Sequence, residues 1–263
     1  MSPGGSEVAS VVPIAGWSPA NRPVLQSAAR PGRARRVRGL VMDLDDTLYP
    51  RRRFVQSGYG AVAAYLAANF ELAADRVYSR LLECLHAGSE RTAFQTVCLE
   101  FDLDQETVPV LVEVFRGHEP RIFLGQGARV MLQTLRASGW RLAVLTNGLP
   151  AVQARKVHAL GLADLVDHVV YAEQVVPGGK PARVAFDAAL QRLGTRSHQA
   201  VCLGDDPRAD VLGAREAGLA TIRLAVQGVD SDPARDADVV IDTLDEVPRV
   251  AAALLEGATR HAA

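Results

Sequence analysis

Three short apolar runs in this chain stop abruptly at polar groups: Gly39-Leu40-Val41-Met42 at Asp43, Leu142-Ala143-Val144-Leu145 at Thr146, and Val201-Cys202-Leu203 just before Asp205. Runs this short, bounded by turn residues, suit strands buried on both faces of a sheet. After Pro120 such runs alternate with amphipathic stretches. Beyond a first strand that starts near Val37, strands are expected at 141–145, 167–171, 200–204, 219–224 and 238–241. Helices are expected at 126–138, 150–160, 182–193, 208–217 and 244–256. A strand–helix rhythm of this kind builds a doubly wound, Rossmann-like α/β core with a parallel sheet covered on both faces. With the first strand central, the second and third on one side and the fourth and fifth on the other, the order reverses between the strands carrying Asp43 and Asp205. Open α/β sheets bind ligands in such a crevice.

Residues 51–119 have a different character. Phe54, Val55, Tyr59, Val62, Ala63 and Leu66 keep helical spacing, as do later apolar sets ending at Phe115, and no strand pattern interrupts them. A helical cap of about four helices is therefore expected at 51–119, inserted into a core made of 37–50 and 120–263. Residues 1–36 mix Pro, Gly, Ser, Ala and Arg without periodicity and read as a disordered tail. Its basic end, with Arg30, Arg33, Arg35 and Arg36, reads as a solvated flank of the first strand.

A chain of 263 residues, 48% hydrophobic and with net charge −1, has the balance of a globular protein and not of a polyanion binder, so no nucleic-acid partner is expected. No apolar run reaches the roughly 18 residues of a membrane span, and the start lacks a secretory pattern, which makes the cytoplasm the expected location and a membrane partner unexpected. Cys84, Cys98 and Cys202 lie in apolar surroundings without metal-ligand spacing and read as buried thiols. The histidines show no metal-ligand spacing either. Oligomeric state leaves no mark on the sequence.

The chemistry is carried by four fragments in order: Asp43-Leu44-Asp45-Asp46-Thr47, Thr146-Asn147-Gly148, Lys180-Pro181, and Gly204-Asp205-Asp206 followed by Asp210. Each alone is an ordinary turn or capping sequence. Together, at the ends of neighbouring strands, they can handle a phosphate ester. Asp43 can attack phosphorus while Asp45, two residues on, protonates the leaving oxygen and later activates water. A carboxylate approaching an anionic phosphate needs neutralisation, and Mg²⁺, which takes carboxylate oxygens and waters, fits Asp43 with Asp205. Lys180 adds a fixed positive charge, and Thr146 and Asn147 can hold phosphoryl oxygens. Lys156 and Lys180 are the only lysines in a chain that otherwise uses arginine. Lys180 falls in a motif; Lys156 does not, and its loss is expected to be nearly silent. Arg51, Arg52 and Arg53 sit where the chain enters the cap and suit either a second anionic group of the substrate or a solvated basic turn.

The four fragments resemble the haloacid dehalogenase (HAD) superfamily of hydrolases, in its branch with a helical cap inserted after the first motif, over about Arg38 to Glu246. The resemblance implies that Asp43 is phosphorylated and Asp45 is the acid/base. It places the Ser/Thr motif at Thr146 and the lysine motif at Lys180. The metal falls to Asp43, Asp205 and the backbone carbonyl of Asp45, with Asp210 behind them, and Asp206 is a solvated or supporting acid. The implied activity is Mg²⁺-dependent hydrolysis of a small phosphorylated metabolite: a nucleotide, a sugar phosphate or a biosynthetic intermediate. Asp45 argues against the dehalogenase branch. The absence of lysine from 51–119 argues against the phosphonate-cleaving branch, which uses a cap lysine. A phosphomutase would use the same residues. A non-catalytic phosphate-binding member would be expected to have lost one of them, and none is missing. A receiver domain also gathers acids, Thr and Lys around Mg²⁺, but its acidic pair precedes the phosphoacceptor, whereas here the second acidic cluster follows Lys180. The Leu48-Tyr49-Pro50 continuation is similar to pyrimidine 5′-nucleotidase-like members over a short stretch.

Overall fold

A computed structural model describes residues 37–225 and 237–260; the expected tail at 1–36 lies outside the described residues. Six parallel strands form one sheet: β1 (Arg38–Met42), β2 (Trp140–Thr146), β3 (His168–Tyr171), β4 (Ala200–Gly204), β5 (Ala220–Leu224) and β6 (Val239–Ile241). Their order is β3-β2-β1-β4-β5-β6, with β1 central as expected. Met42 is in register with Val144 of β2 and Leu203 of β4, so the strands bearing Asp43, Thr146 and Asp205 end side by side. The order reverses between β1 and β4.

The alternation of side chains across a strand explains why these runs are apolar throughout. Leu40, Met42, Leu142, Val144, Val201 and Leu203 join one core cluster, and the intervening Val41, Ala143, Leu145, Ala200 and Cys202 join a second. Both faces are covered, and within these runs no position is polar until the strand ends. The reactive groups that follow the runs thereby stand at the carboxyl edge.

Ten α-helices accompany the strands among the described residues. The first four, α1 (Arg51–Phe70), α2 (Ala74–His86), α3 (Ala93–Glu100) and α4 (Val108–Gly117), occupy the expected insert with no strand among them. They share an apolar cluster of their own, from Val55 through Tyr59, Leu66, Leu81 and Val97 to Leu111. Phe54, one residue before Val55, belongs instead to the sheet's cluster, so the first turn of α1 faces both ways. The remainder are α5 (Gln126–Ala137), α6 (Pro150–Ala159), α7 (Ala172–Val175), α8 (Arg183–Leu193), α9 (Gly213–Glu216) and α10 (Val247–Arg260). The short α7 is too brief to show a helical period. The helix expected at 208–217 starts as a wide π-helical turn, Pro207–Leu212, before tightening into α9. Cys84, Cys98 and Cys202 are buried and unpaired. No helix among the described residues is long and apolar enough to cross a membrane.

Candidate active site

The carboxyl ends of β1, β2 and β4 border a cavity of about 190 Å³ whose lining includes Asp43, Asp45, Thr146, Asn147, Lys180, Asp205 and Asp210. Four fragments far apart in sequence therefore meet in one place. A larger hollow, about 270 Å³, lies between His198, Leu219, Asp238 and Leu255, but its only carboxylate, Asp238, already accepts hydrogen bonds from Thr221. Chemistry follows the convergence of reactive groups, not volume.

Asp43 extends β1 by one residue, its N–H donating to the Leu203 carbonyl at 2.9 Å. Lys180 Nζ lies between two carboxylates, 2.5 Å from Asp43 Oδ1 and 2.6 Å from Asp210 Oδ1. Carboxylate oxygens of Asp43, Asp205 and Asp210 can all lie within 4.8 Å of one another. Thr47 Oγ1 donates to Asp205 at 3.0 Å. Burial, reinforced by the neighbouring Asp210 and Asp205, pushes Asp43 up to about 8 although Lys180 pulls the other way. Burial and Asp210 likewise push Asp205 up to about 6, against the Thr47 hydrogen bond. Lys180 is held charged: burial favours its neutral form, and the two carboxylates outweigh it.

With all three carboxylates ionised, the one ammonium leaves two negative charges in excess. An all-oxygen, doubly negative cluster fits a hard divalent cation, and Mg²⁺ is such an ion. The metal set expected from the sequence took carboxylates from Asp43 and Asp205 and the backbone carbonyl of Asp45, with Asp210 behind. The structure gathers Asp43, Asp205 and Asp210, and turns the Asp45 carboxylate elsewhere.

Asp45 is saturated. Lys156 Nζ contacts its two oxygens at 2.8 and 2.7 Å, Tyr49 donates to Oδ1 at 2.5 Å, and Gln153 Nε2 donates to Oδ2 at 3.0 Å. Burial would raise the Asp45 pKa, but Lys156 with Tyr49 and Gln153 outweighs it, and the carboxyl lies below its ordinary range. Lys156 is itself 5% exposed, with Nζ 4.4 Å from the centre of the Phe54 ring. The expectation that Lys156 is a bystander is corrected: the chain's other lysine is buried against the second aspartate of the first motif. Its signal was present, since the scarcity of lysine that singles out Lys180 applies equally to Lys156. Gln153 and Lys156, three apart on the helix that follows Thr146-Asn147-Gly148, share a face.

Asn147 works largely through its amide. Its Nδ2 donates to the Lys180 carbonyl at 3.0 Å and its Oδ1 accepts from the Lys180 N–H at 2.8 Å, a two-point clasp on the lysine's backbone. Gly179 permits the clasp: its φ is +60°, and a Cβ there would meet Asn147 Oδ1 at 2.3 Å. Gly204 does the same for Asp210, whose carboxyl oxygen lies 2.3 Å from where a Cβ would stand. Thr146 Oγ1 accepts from Gln153 at 2.5 Å. Asp206 takes the supporting role left open for it, capping the turn below Asp210 by accepting from the N–H groups of Arg208 and Ala209 at 2.7 and 2.8 Å.

Arg51, Arg52 and Arg53 do not line the cavity. The Arg51 N–H donates to Asp46 at 2.8 Å, and its guanidinium pairs with Glu90 at 2.9 Å. Arg53 stacks over Phe123 at 4.3 Å, and Arg52 is exposed. Arg51 and Arg53 are engaged in fastening the start of α1.

Comparison with known proteins agrees with this geometry. The family model for haloacid dehalogenase-like hydrolases matches residues 37–218. The chain is 30% identical over 234 residues to a ribulose-1,5-bisphosphate 5-phosphatase of Halopiger xanaduensis, covering 79% of this chain and 96% of that protein. It is 29% identical over 212 residues to a glyceraldehyde 3-phosphate phosphatase of Methanopyrus kandleri, covering 77% and 91%. Among solved structures, the HAD-hydrolase YfnB of Bacillus subtilis, crystallised with magnesium, superposes with a TM-score of 0.62 at 20% identity over 82% of this chain and 99% of that one. A 2-haloacid dehalogenase of Pseudomonas syringae gives 0.58 at 26% identity, with the same two coverages. The chain belongs to the haloacid dehalogenase-like hydrolases.

Proposed function

We propose that the protein hydrolyses a small phosphate monoester through an aspartyl phosphate on Asp43. The observation that carries this reading is the separation of the two aspartates of the first motif: Asp43 sits with Asp205, Asp210 and Lys180, and Asp45 sits apart with Lys156, Gln153 and Tyr49. A nucleophile and an acid/base need such separate settings.

In the first step an Asp43 oxygen attacks phosphorus and the ester P–O bond breaks; Asp45, ionised while its three donors hold it, takes up a proton from solvent as substrate enters and passes it to the leaving oxygen. With its oxygens filled by three donors, Asp45 exchanges one of them for the leaving oxygen in order to act as an acid. In the second step the Asp45 carboxylate takes a proton from water as the water oxygen bonds to phosphorus. The bond from phosphorus to Asp43 breaks, and phosphate leaves. Lys180 holds Asp43 against the transferring group, and Thr146 with the backbone of Asn147 faces the phosphoryl oxygens. Asp43, Asp205 and the Asp45 carbonyl, with Asp210 adjacent, would hold Mg²⁺, which when bound neutralises the phosphoryl and carboxylate charge.

A halide leaves without a proton, so a half-buried, four-contact Asp45 favours phosphate esters over the reaction named for the P. syringae relative. The substrates in the names of the two phosphatase relatives are small phosphorylated metabolites. We place this chain's substrate in that class, with 51–119 as a cap that closes over the leaving group. The test is hydrolysis of a phosphate-ester panel: activity is expected with Mg²⁺ and lost with chelator and in Asp43→Asn, and full activity in Asp43→Asn would overturn the reading.

A further inference from the structure

We infer that Lys156 is the positioning residue of Asp45, holding its carboxylate at the cavity edge for the attack of water on the phosphorylated enzyme. The inference rests on the reading of Asp45 as the acid/base. Three observations carry it. Both oxygens of Asp45 touch the Lys156 ammonium, at 2.8 and 2.7 Å, and this two-point contact fixes the carboxylate plane as a single contact would not. Lys156 is itself pinned: it is 5% exposed, it leaves the last turn of α6, and its ammonium sits on the face of Phe54, whose ring packs 4.9 Å from that of His118. Finally, Gln153 ties the same carboxylate to the phosphoryl end of the site, since its Nε2 contacts Asp45 Oδ2 at 3.0 Å and Thr146 Oγ1 at 2.5 Å. One helix therefore orients Asp45 and Thr146 together.

A buried ion pair that served stability alone would not need to end on an acid/base carboxylate lining the cavity. Without Lys156 the carboxylate loses its only cationic partner among the contacts that hold it, and turns toward whatever solvent reaches the cavity. Phosphorylation of Asp43 by an activated ester, whose leaving group needs little protonation, proceeds; removal of the phosphate slows.

The experiment uses the full chain with Mg²⁺ and an activated aryl phosphate, in rapid-mixing kinetics, on wild type, Lys156→Met, Asp45→Asn and the double variant. Lys156→Met is expected to keep a burst of aryl alcohol and to lose on the order of 10²-fold in the following steady rate, the size of one misplaced catalytic contact. In the Asp45→Asn background the same substitution is expected to cost less than about 3-fold, because residues acting through one another are not additive. Equal losses in both backgrounds, or no loss in Lys156→Met, would overturn the positioning role while leaving Asp45 as the acid/base. If Asp45→Asn alone shows neither burst nor slowed turnover, the assignment of Asp45 fails, and this inference with it. Should Lys156→Met not fold, Lys156→Gln keeps a donor without the charge and is judged by the same two comparisons.

Discussion

Asp43 and Asp45 point their carboxylates at different cations, and the difference in surroundings is large. Lys180 is flanked by Asp43 and Asp210 with its side chain 3% exposed, whereas Lys156 meets Asp45 alone. Removing one member of a buried ion pair leaves its partner uncompensated and costs about 3–5 kcal/mol. Lys180→Met strands two carboxylates in place of one. It is expected to lower kcat on the order of 10²-fold or more, as loss of an electrostatic contact to the transition state does. Its thermal midpoint should also fall in chelator and recover with Mg²⁺, because the ion replaces part of the missing charge. A Lys180→Met enzyme of normal kcat would show that this ammonium does not assist the reacting group. Asp45→Asn should give a burst of aryl alcohol followed by slow turnover. Equal loss with activated and poor leaving groups, and no trapped phosphoenzyme, would contradict its role.

The elements place these residues through backbone features that a side-chain pattern only partly encodes. Gly204 closes β4 with no Cβ, which leaves room for the Asp210 carboxyl delivered by the wide turn at Pro207–Leu212. Gly204→Ala is therefore expected to displace Asp210 and cost about 1–3 kcal/mol, the usual penalty for forcing atoms into a packed site. Unchanged melting and activity in that variant would show that Asp210 can shift freely. The adjacent strands β2, β1 and β4 were legible because their runs, covered on both faces, stay apolar until the strand ends, and Asp43, Thr146 and Asp205 stand at those ends for the same reason. The four helices of 51–119 were legible from their period. What was hidden is contact across the chain. The Asp45–Lys156 pair spans 111 residues and the Asn147–Lys180 clasp spans 33, distances at which periodicity carries no information. The role expected for Arg51 as a substrate contact competes with its pairing to Glu90, and only the structure shows that partner. Tyr59, a natural choice for probing cap specificity, is 2% exposed in the insert's apolar cluster, so its truncation would test packing instead. Exposed Arg52 is the better probe: if the insert selects substrates, Arg52→Ala should change the rank order of kcat/KM over a panel of phosphate esters, and a uniform change would argue against it.

Over the whole molecule, the excess negative charge at the sheet edge ties folding, pH and metal together. Asp43 and Asp205 have folded-state pKa values of about 8 and about 6, above the ordinary 3.8. At these two carboxyls the folded protein binds more protons than the unfolded chain between roughly pH 4 and 8, so in chelator their contribution to stability is greatest at the acidic side of that window and falls as pH rises through it. Mg²⁺ competes with those protons. Its stabilising effect should grow with pH, measured as the difference in thermal midpoint with and without the ion at pH 5.5, 7 and 8.5. A Mg²⁺ effect independent of pH would mean that the ion does not sit among these carboxylates. The central claim is that phosphate passes through a covalent bond to Asp43, and its most direct measurement is peptide mass spectrometry on Asp45→Asn protein quenched in acid within the burst. The account predicts one phosphate on the peptide carrying Asp43, absent when Asp43 is also changed to Asn. A burst with no phosphate on that peptide, or with phosphate on another residue, would contradict it.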